Sequence, residues 1–574
     1  MARRFILALG LLAAGCATAP APAPAPLVTA APFDVVIRGG TIYDGSGGAP
    51  FVGDVALNGD RIAFVGPRAP APGRQTLDAT GLAVSPGFIN MLSWAPVSLI
   101  EDGRGLGDIH QGVTLDVFGE GESMGPLTPE MKALELKRQG DIKYDISWTT
   151  LGGYFDHMER RGISTNIASF VGATSVRIHE LGESDVDPTP AQLERMRGLV
   201  RAAMQEGALG VGSSLIYAPA NFAETDELVA LAEEAGKCGG MYISHMRDEG
   251  PKLLEAIDEL VTISRRSGAP AEIYHFKQSG RAHWDKIDAA IARVDAARAA
   301  GLRITADMYT YPASSTGFDA AFPLWVQDGG LEAWVERLSD KSTRARALAE
   351  MRGPKATENT KLVVEEPDKV LLVGFKTDAL KPLTGRTLGE VARERGKPAE
   401  EVAADLIVAD GTRIQVVYFG MSEDNVRRQI GLPWMSFGSD AASMAPEGVF
   451  LKSSTHPRAY GTFARLLGKY VRDEKATTLP DAIRRLTSFP AANLGLRERG
   501  SLRTGYYADV VLFDPATIKD HATFAKPHQL ATGVRDVFVN GVQVMRGGAH
   551  TGAKPGRVVR GPGWTGWPGG GACK

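Results

Sequence analysis

Short apolar runs broken by glycine, aspartate and asparagine mark both ends of the patterned part of the chain. From Phe33 to Gly66 the sequence FDVVIRGGTIYDGSGGAPFVGDVALNGDRIAFVG alternates β-branched and polar positions between turn residues, and Asn58-Gly59 is a hairpin signal. The texture returns in GSLRTGYYADVVLFDP (Gly500 to Pro515) and DVFVNGVQVMRGG (Asp536 to Gly548), with a second Asn-Gly at Asn540-Gly541. One small β-sandwich assembled from residues 33–85 and 495–552 accounts for both. Between them, strand-like runs (ISTNIASFVG, GALGVGSSLIY, GMYISHM, AEIYHFK, LRITADMYTY, PWMSFGSD) alternate with amphipathic stretches such as DELVALAEEAGK and WDKIDAAIARVDAARAAG. That alternation predicts an α/β barrel over residues 86–494, with its chemistry where strands end. Residues 312–428 exceed one barrel step, and their aromatic content reads either as a cover over the barrel mouth or as decoration of its outer face.

Composition narrows the partners. A chain of 574 residues, 44% hydrophobic and 23% charged with net charge -3, is an ordinary globular protein with no basic surplus for nucleic acid, so its partner is small. The opening MARRFILALGLLAAGC places Arg3 and Arg4 before an apolar run and small residues before Cys16, the pattern of a secretory signal ending in a lipobox. It predicts a lipid on Cys16 and a periplasmic, membrane-anchored lipoprotein of the bacterial cell envelope. The Ala/Pro run of residues 17–32 reads as a tether reaching roughly 50 Å at polyproline rise. Cys238 and Cys573 are far apart, with Cys573 in a Gly-rich stretch, so residues 553–574 read as a flexible tail and the fold is expected to rest on its core rather than on a disulfide.

Two of the ten histidines stand at proposed strand ends, His245 in YISHMRDEG and His275 in EIYHFKQSG. A single histidine after an apolar run is usually structural, but successive barrel strands bring their C-terminal ends together, so both imidazoles can converge on one ion. Asp440, in GSDAAS after PWMSFG, suits either a helix cap or a proton carrier beside a metal.

Taken in order, HMRDEG, YHFKQSG, GSD, HPRAYGTFARLLGKYVRD (His456 to Asp473), LTSFPAANLGL and ADVVLFDPATIKDHATF resemble the D-aminoacylase (N-acyl-D-amino-acid deacylase) branch of the amidohydrolase superfamily, from about Phe33 to about Gly548. The resemblance implies a distorted (β/α)8 TIM-type barrel with a small β-sandwich, zinc, and hydrolysis of an amide next to a D-amino-acid carboxylate. It also implies that His245 and His275 are metal ligands, that Asp440 is the general acid/base, and that Lys277, Arg458 and Tyr217 bind the substrate carboxylate.

Two departures stand out. Where the family continues PGFI into a His-x-His pair, this chain reads PGFINMLSWAP, with Leu92 and Trp94 at the two positions. In the family that pair serves a second, weakly occupied metal position, so its loss is expected to leave the working position intact, with Trp94 as an apolar wall. Where the family has the ligand cysteine of GNCG, this chain has GVTLDVFGEGESMGPL (Gly112 to Leu127). Aligning the end of that segment with one residue fewer sets Glu120 on the cysteine; without the gap Gly121 falls there, and Glu122 competes. Glu120 with His245 and His275 would hold one divalent metal, zinc foremost, while a harder carboxylate also suits Mn, Co or Fe. The expectation is a metal-dependent amidohydrolase acting on linear N-acyl-D-amino acids or D-residue peptides. The alternatives are a catalytically silent binding protein on the same fold, or a dihydropyrimidinase-like cyclic amidase, a group that relies on the missing His-x-His pair.

Overall fold

A computed structural model describes residue 1, residues 32–354 and residues 356–573. Cys16 and most of the Ala/Pro run lie outside the described residues. The chain opens with β1 (Phe33–Ile42), β2 (Phe51–Asn58), β3 (Arg61–Gly66), β4 (Gly73–Asp78) and β5 (Ala83–Pro86). Then come β6 (Phe88–Asn90), β7 (Val113–Phe118), β8 (Asn166–Ser169), β9 (Val171–Gly172), β10 (Gly210–Ser214), β11 (Met241–His245), β12 (Ala271–Ile273) and β13 (Ile304–Met308). β14 (Ser314–Gly317), β15 (Val370–Gly374) and β16 (Gln415–Tyr418) follow, then β17 (Met435–Phe437) and finally β18 (Val510–Phe513), β19 (Val534–Val539), β20 (Val542–Arg546) and β21 (Ala549–His550).

Both chain ends build one nine-stranded sheet, in the order β21-β20-β19-β18-β5-β1-β2-β3 with β4 against β1. The seam is the antiparallel pair β5–β18, with Pro86 opposite Val510 and Ala83 opposite Phe513. The alternation seen in the sequence puts Val35, Ile37, Val55, Leu57, Val510 and Leu512 into one core.

The central strands run parallel in two arrays, β6-β7-β8 and β17-β13-β12-β11-β10-β9. Backbone bonds join them at both margins: Phe170 N–H to Phe118 O (2.8 Å) and Leu209 N–H to Ser169 O (3.0 Å) on one side, Met91 N–H to Phe437 O (3.1 Å) on the other. Such strands are covered on both faces, which is why MYISH and ITADM are buried throughout. The helices between them carry their own stop and start signals. The helix Pro190–Gln205 begins at a Thr189/Gln192 capping box with proline in its first turn, and Leu253–Ser267 ends at Gly268 in the left-handed region. In the long insertion, β14, β16 and β15 form an antiparallel sheet with its own core around Phe318, Trp334, Leu338, Leu406 and Tyr418.

The C-terminal segment corrects the expectation of a free, flexible tail. Residues 556–561 run between β8 and the start of β10: Val559 N–H bonds Ile167 O (2.7 Å) and Gly561 N–H bonds Gly207 O (2.8 Å). The approach needs glycine, because a Cβ on Gly556 would meet Thr165 O at 2.0 Å and one on Gly561 would meet Ala208 O at 2.2 Å. The stretch ends in a Cys238–Cys573 disulfide, which the sequence spacing of 335 residues gave no reason to expect.

Candidate metal centre

β7 ends one residue before a tight turn, Gly119-Glu120-Gly121. Both glycines have positive φ, +106° and +74°, and a Cβ on either would meet a neighbour at 2.5 Å, Phe170 O for Gly119 and Ser214 Cβ for Gly121. The turn delivers the Glu120 carboxylate to the barrel mouth. His245 is the last residue of β11, and His275 lies two residues past β12 with φ +33°, fixed by a 2.8 Å bond from its N–H to Asp307 Oδ1.

Glu120 Oε1 lies 2.9 Å from His245 Nδ1 and 2.9 Å from His275 Nε2, and one donor atom from each residue fits within 4.8 Å of the others. The two rings are almost perpendicular, at 85°, with centroids 4.3 Å apart. Glu122, the competing candidate, lines the same cavity but is outside this cluster.

The residue that sequence reasoning missed is Glu249, in the HMRDEG turn after β11. Its Oε1 accepts from Lys277 Nζ (2.5 Å) and lies 3.1 Å from His275 Nδ1, while Oε2 lies 3.6 Å from His245 Nε2. One carboxylate thus faces the outer nitrogen of both imidazoles. The signal was an acid four residues after His245; two ligand histidines need an acceptor for their second nitrogens.

Trp94 is not simply an apolar wall. It is 42% exposed, and its indole N–H donates to Glu120 Oε2 at 2.8 Å. Leu92 is fully buried and packs among Ile89, Met91 and Val117.

The electrostatics are those of a preformed cation site. Burial works against ionising Glu120, but His275 and His245 outweigh it and hold its carboxyl well below the usual range. For Glu249 the same balance is tipped by Lys277 and the two histidines. Burial also disfavours a charged His275, and Lys277 adds to that, yet Glu120 and Glu249 push its imidazole up to about 10. His245 goes the other way, lowered chiefly by burial, and its Nε2 is a buried nitrogen with no hydrogen-bond partner. A carboxylate oxygen and two imidazole nitrogens around a point that otherwise attracts a proton suit a divalent metal.

Asp440 stands three residues past β17 with φ +50°, its N–H bonded to Leu92 O at 2.8 Å. Burial, opposed by Arg458 and reinforced by Glu120, raises its carboxyl above the ordinary value. Arg458 Nη1 is 2.7 Å from Asp440 Oδ2, Nη2 donates to Ser315 O at 3.1 Å, and the guanidinium lies 4.5 Å from the centroid of the Tyr309 ring. Both cations expected to bind a substrate carboxylate already have acidic partners, Lys277 on Glu249 and Arg458 on Asp440. The Tyr217 and His245 rings meet edge to face with centroids 5.3 Å apart, and the Tyr217 hydroxyl is 2.7 Å from Thr316 Oγ1 of the insertion. The three candidate ligands, Glu249, Lys277, Asp440, Arg458 and Tyr217 open into one cavity of about 730 Å³, which Ser315, Phe375 and Arg413 of the insertion help to line. That is the size range of a small-molecule site.

Parallel α/β arrays with a carboxylate and two histidines at their strand ends, and an aspartate just past a later strand, have the layout that metal-dependent hydrolysis needs. Residues 144–545 match the amidohydrolase family. The chain is 32% identical to a D-aminoacylase from Alcaligenes xylosoxydans xylosoxydans, across 92% of this chain and 98% of the relative. Among solved structures, an N-acyl-D-glutamate deacylase from Bordetella bronchiseptica, complexed with zinc and a phosphonate mimic of the tetrahedral intermediate, superimposes with TM-score 0.76 at 29% identity, over 92% of this chain and all of that one. A D-aminoacylase studied for one-metal activation and second-metal attenuation of its binuclear centre superimposes equally well, with TM-score 0.76 at 30% identity and the same coverage. The chain belongs to the amidohydrolase family, in its D-aminoacylase branch.

Proposed function

We propose that the protein hydrolyses the amide of N-acyl-D-amino acids, with Glu120, His245 and His275 holding a single divalent metal, zinc foremost. The observation that carries this reading is the convergence of those three donors within 4.8 Å in the lining of the cavity. The relatives named as D-aminoacylase and N-acyl-D-glutamate deacylase support the substrate class, and one-metal activation in the former suits a chain with Leu92 and Trp94 in place of two histidines.

A metal bound there supplies Lewis acidity to the scissile carbonyl and acidity to a water. Asp440 takes the proton of the attacking water and returns it to the leaving nitrogen; its raised pKa makes it a better acid for that second transfer than an ordinary aspartate. Arg458 and Lys277, each already shared with an acid, orient the substrate carboxylate at the cavity wall while keeping Asp440 and Glu249 ionised. Tyr217 closes the side nearest His245.

The test combines metal analysis with turnover. About one tightly held transition metal per chain, lost in Glu120→Ala, together with hydrolysis of N-acetyl-D-amino acids and none of hydantoins, is the expected result. Hydantoin cleavage alone would move the protein to the cyclic amidases, and metal retention by Glu120→Ala would remove Glu120 from the site.

Cys16 would be acylated and hold the enzyme at the periplasmic face of a membrane. The Cys238–Cys573 bond supports an oxidising compartment. Membrane fractionation checks this: Cys16→Ser should move the protein out of the membrane pellet.

A further inference from the structure

We infer that Trp94 is a positioning residue for the metal ligand Glu120, and that the two act as one unit in place of the family's histidine and cysteine. The inference rests on Glu120 being a ligand, as proposed above. A carboxylate has two oxygens and free rotation about its last bond, so a monodentate carboxylate ligand needs its second oxygen held. Here Oε1 faces both imidazoles at 2.9 Å, and the hydrogen bond at Oε2 is the 2.8 Å donation from Trp94 Nε1. Glu120 is 4% exposed, so without that N–H a buried anionic oxygen would lose its partner.

The donor is itself anchored. Trp94 N–H bonds Ala441 O at 3.0 Å, and Ser93 forms a parallel bridge with the same residue, next to Asp440. Trp94 therefore ties the segment after β6 to the Asp440 turn after β17 through its backbone, and to the Glu120 turn after β7 through its indole. A thiolate ligand has a single donor atom and no second atom to orient, so with a cysteine at position 120 this indole N–H would have no free carboxylate oxygen to hold.

The experiment is a competition titration with Zn2+ alone, on the full mature chain, in two backgrounds. With Glu120 present, Trp94→Phe should weaken affinity by about 10–100-fold, the usual effect of removing a group that orients a ligand. Trp94→Gln, which retains an N–H donor of similar reach, should recover most of that loss. In a Glu120→Cys background, Trp94→Phe should leave affinity unchanged. Unchanged affinity for Trp94→Phe beside metal loss in Glu120→Ala overturns the inference and leaves the proposed site standing. So does an equal loss in both backgrounds with no recovery by glutamine, which marks a packing role. Metal retention by Glu120→Ala instead overturns the reading on which it rests.

Discussion

Arg458 Nη1 sits 2.7 Å from Asp440 Oδ2, with the arginine side chain 4% and the aspartate side chain 10% exposed. Water therefore screens this pair little, and the guanidinium acts on the proton affinity of the carboxylate as well as on any substrate anion. Burial and Glu120 drive Asp440 toward its neutral form; Arg458 is the counterweight.

Removing that counterweight has a signed consequence. The proposed base works deprotonated, so activity fails as pH falls through its pKa, and that pKa is already raised. Arg458→Ala should move the acid limb of kcat/KM to higher pH, besides raising KM for an N-acyl-amino acid, whereas Arg458→Lys should recover part of the pH shift with less of the binding. A pH–rate profile of the three proteins decides it: a change in KM with an unmoved acid limb would confine Arg458 to substrate binding.

Glu249→Gln keeps the shape of the side chain and removes the charge that His245, His275 and Lys277 share. Metal affinity should fall about 10–100-fold. Stability should fall as well, because Lys277, 3% exposed, loses its counterion, at a cost of about 3–5 kcal/mol by analogy with other broken buried pairs. Adding Lys277→Met should restore the melting temperature and leave the metal affinity low, which thermal unfolding and metal titration would show separately.

The metal-free and metal-loaded proteins should differ in their pH dependence. Without metal, His275 titrates near 10, above its ordinary value of 6.5, so its protonated form favours the folded state below pH 6.5 and that contribution is lost as pH rises toward 10. The carboxyls of Glu120 and Glu249 are depressed, so their contribution is present at neutral pH and lost only in strong acid. Metal must displace the His275 proton, so affinity should rise by up to about tenfold per pH unit below 10. Melting temperatures from pH 6 to 10, with and without a chelator, should show the chelated protein weakening on the alkaline side more than the loaded one.

Much of this centre is legible in the sequence. His245 and His275 follow apolar runs about one barrel step apart, and parallel strands in a ring leave such positions adjacent. Glu120 could be read because a strand, VTLDVF, points it at the same end. What stayed hidden was pairing across loops. Glu249 looks like any turn acid until two imidazoles are seen to present their second nitrogens to it. The acidic partners of Lys277 and Arg458 are equally hidden, because sequence shows a charge without its partner. Trp94 was read for its ring and not for its N–H. Composition misleads for the tail: glycine-rich sequence that usually means freedom serves here to let backbone lie against backbone at Gly556 and Gly561.

That tail yields the last prediction. The Cys238–Cys573 bond closes a loop of 335 residues, and residues 556–561 fill the space between β8 and β10 with their own backbone bonds to Ile163, Ile167 and Gly207. Two contributions can be separated. Cys573→Ser, or reduction, releases only the chain end and should cost about 2–4 kcal/mol, the usual worth of a native disulfide. Truncation before residue 556 also strips the outer partners from Ile167 and leaves the buried carbonyl groups of Thr165 and Ala208 without the backbone packed against them, so it should cost distinctly more and favour aggregation through the opened strand edge. Thermal unfolding of the oxidised, reduced and truncated proteins gives the ranking. If the reduced protein is as unstable as the truncated one, the covalent bond alone holds the segment in place; if truncation is harmless, the segment is no part of the barrel's stability despite its position.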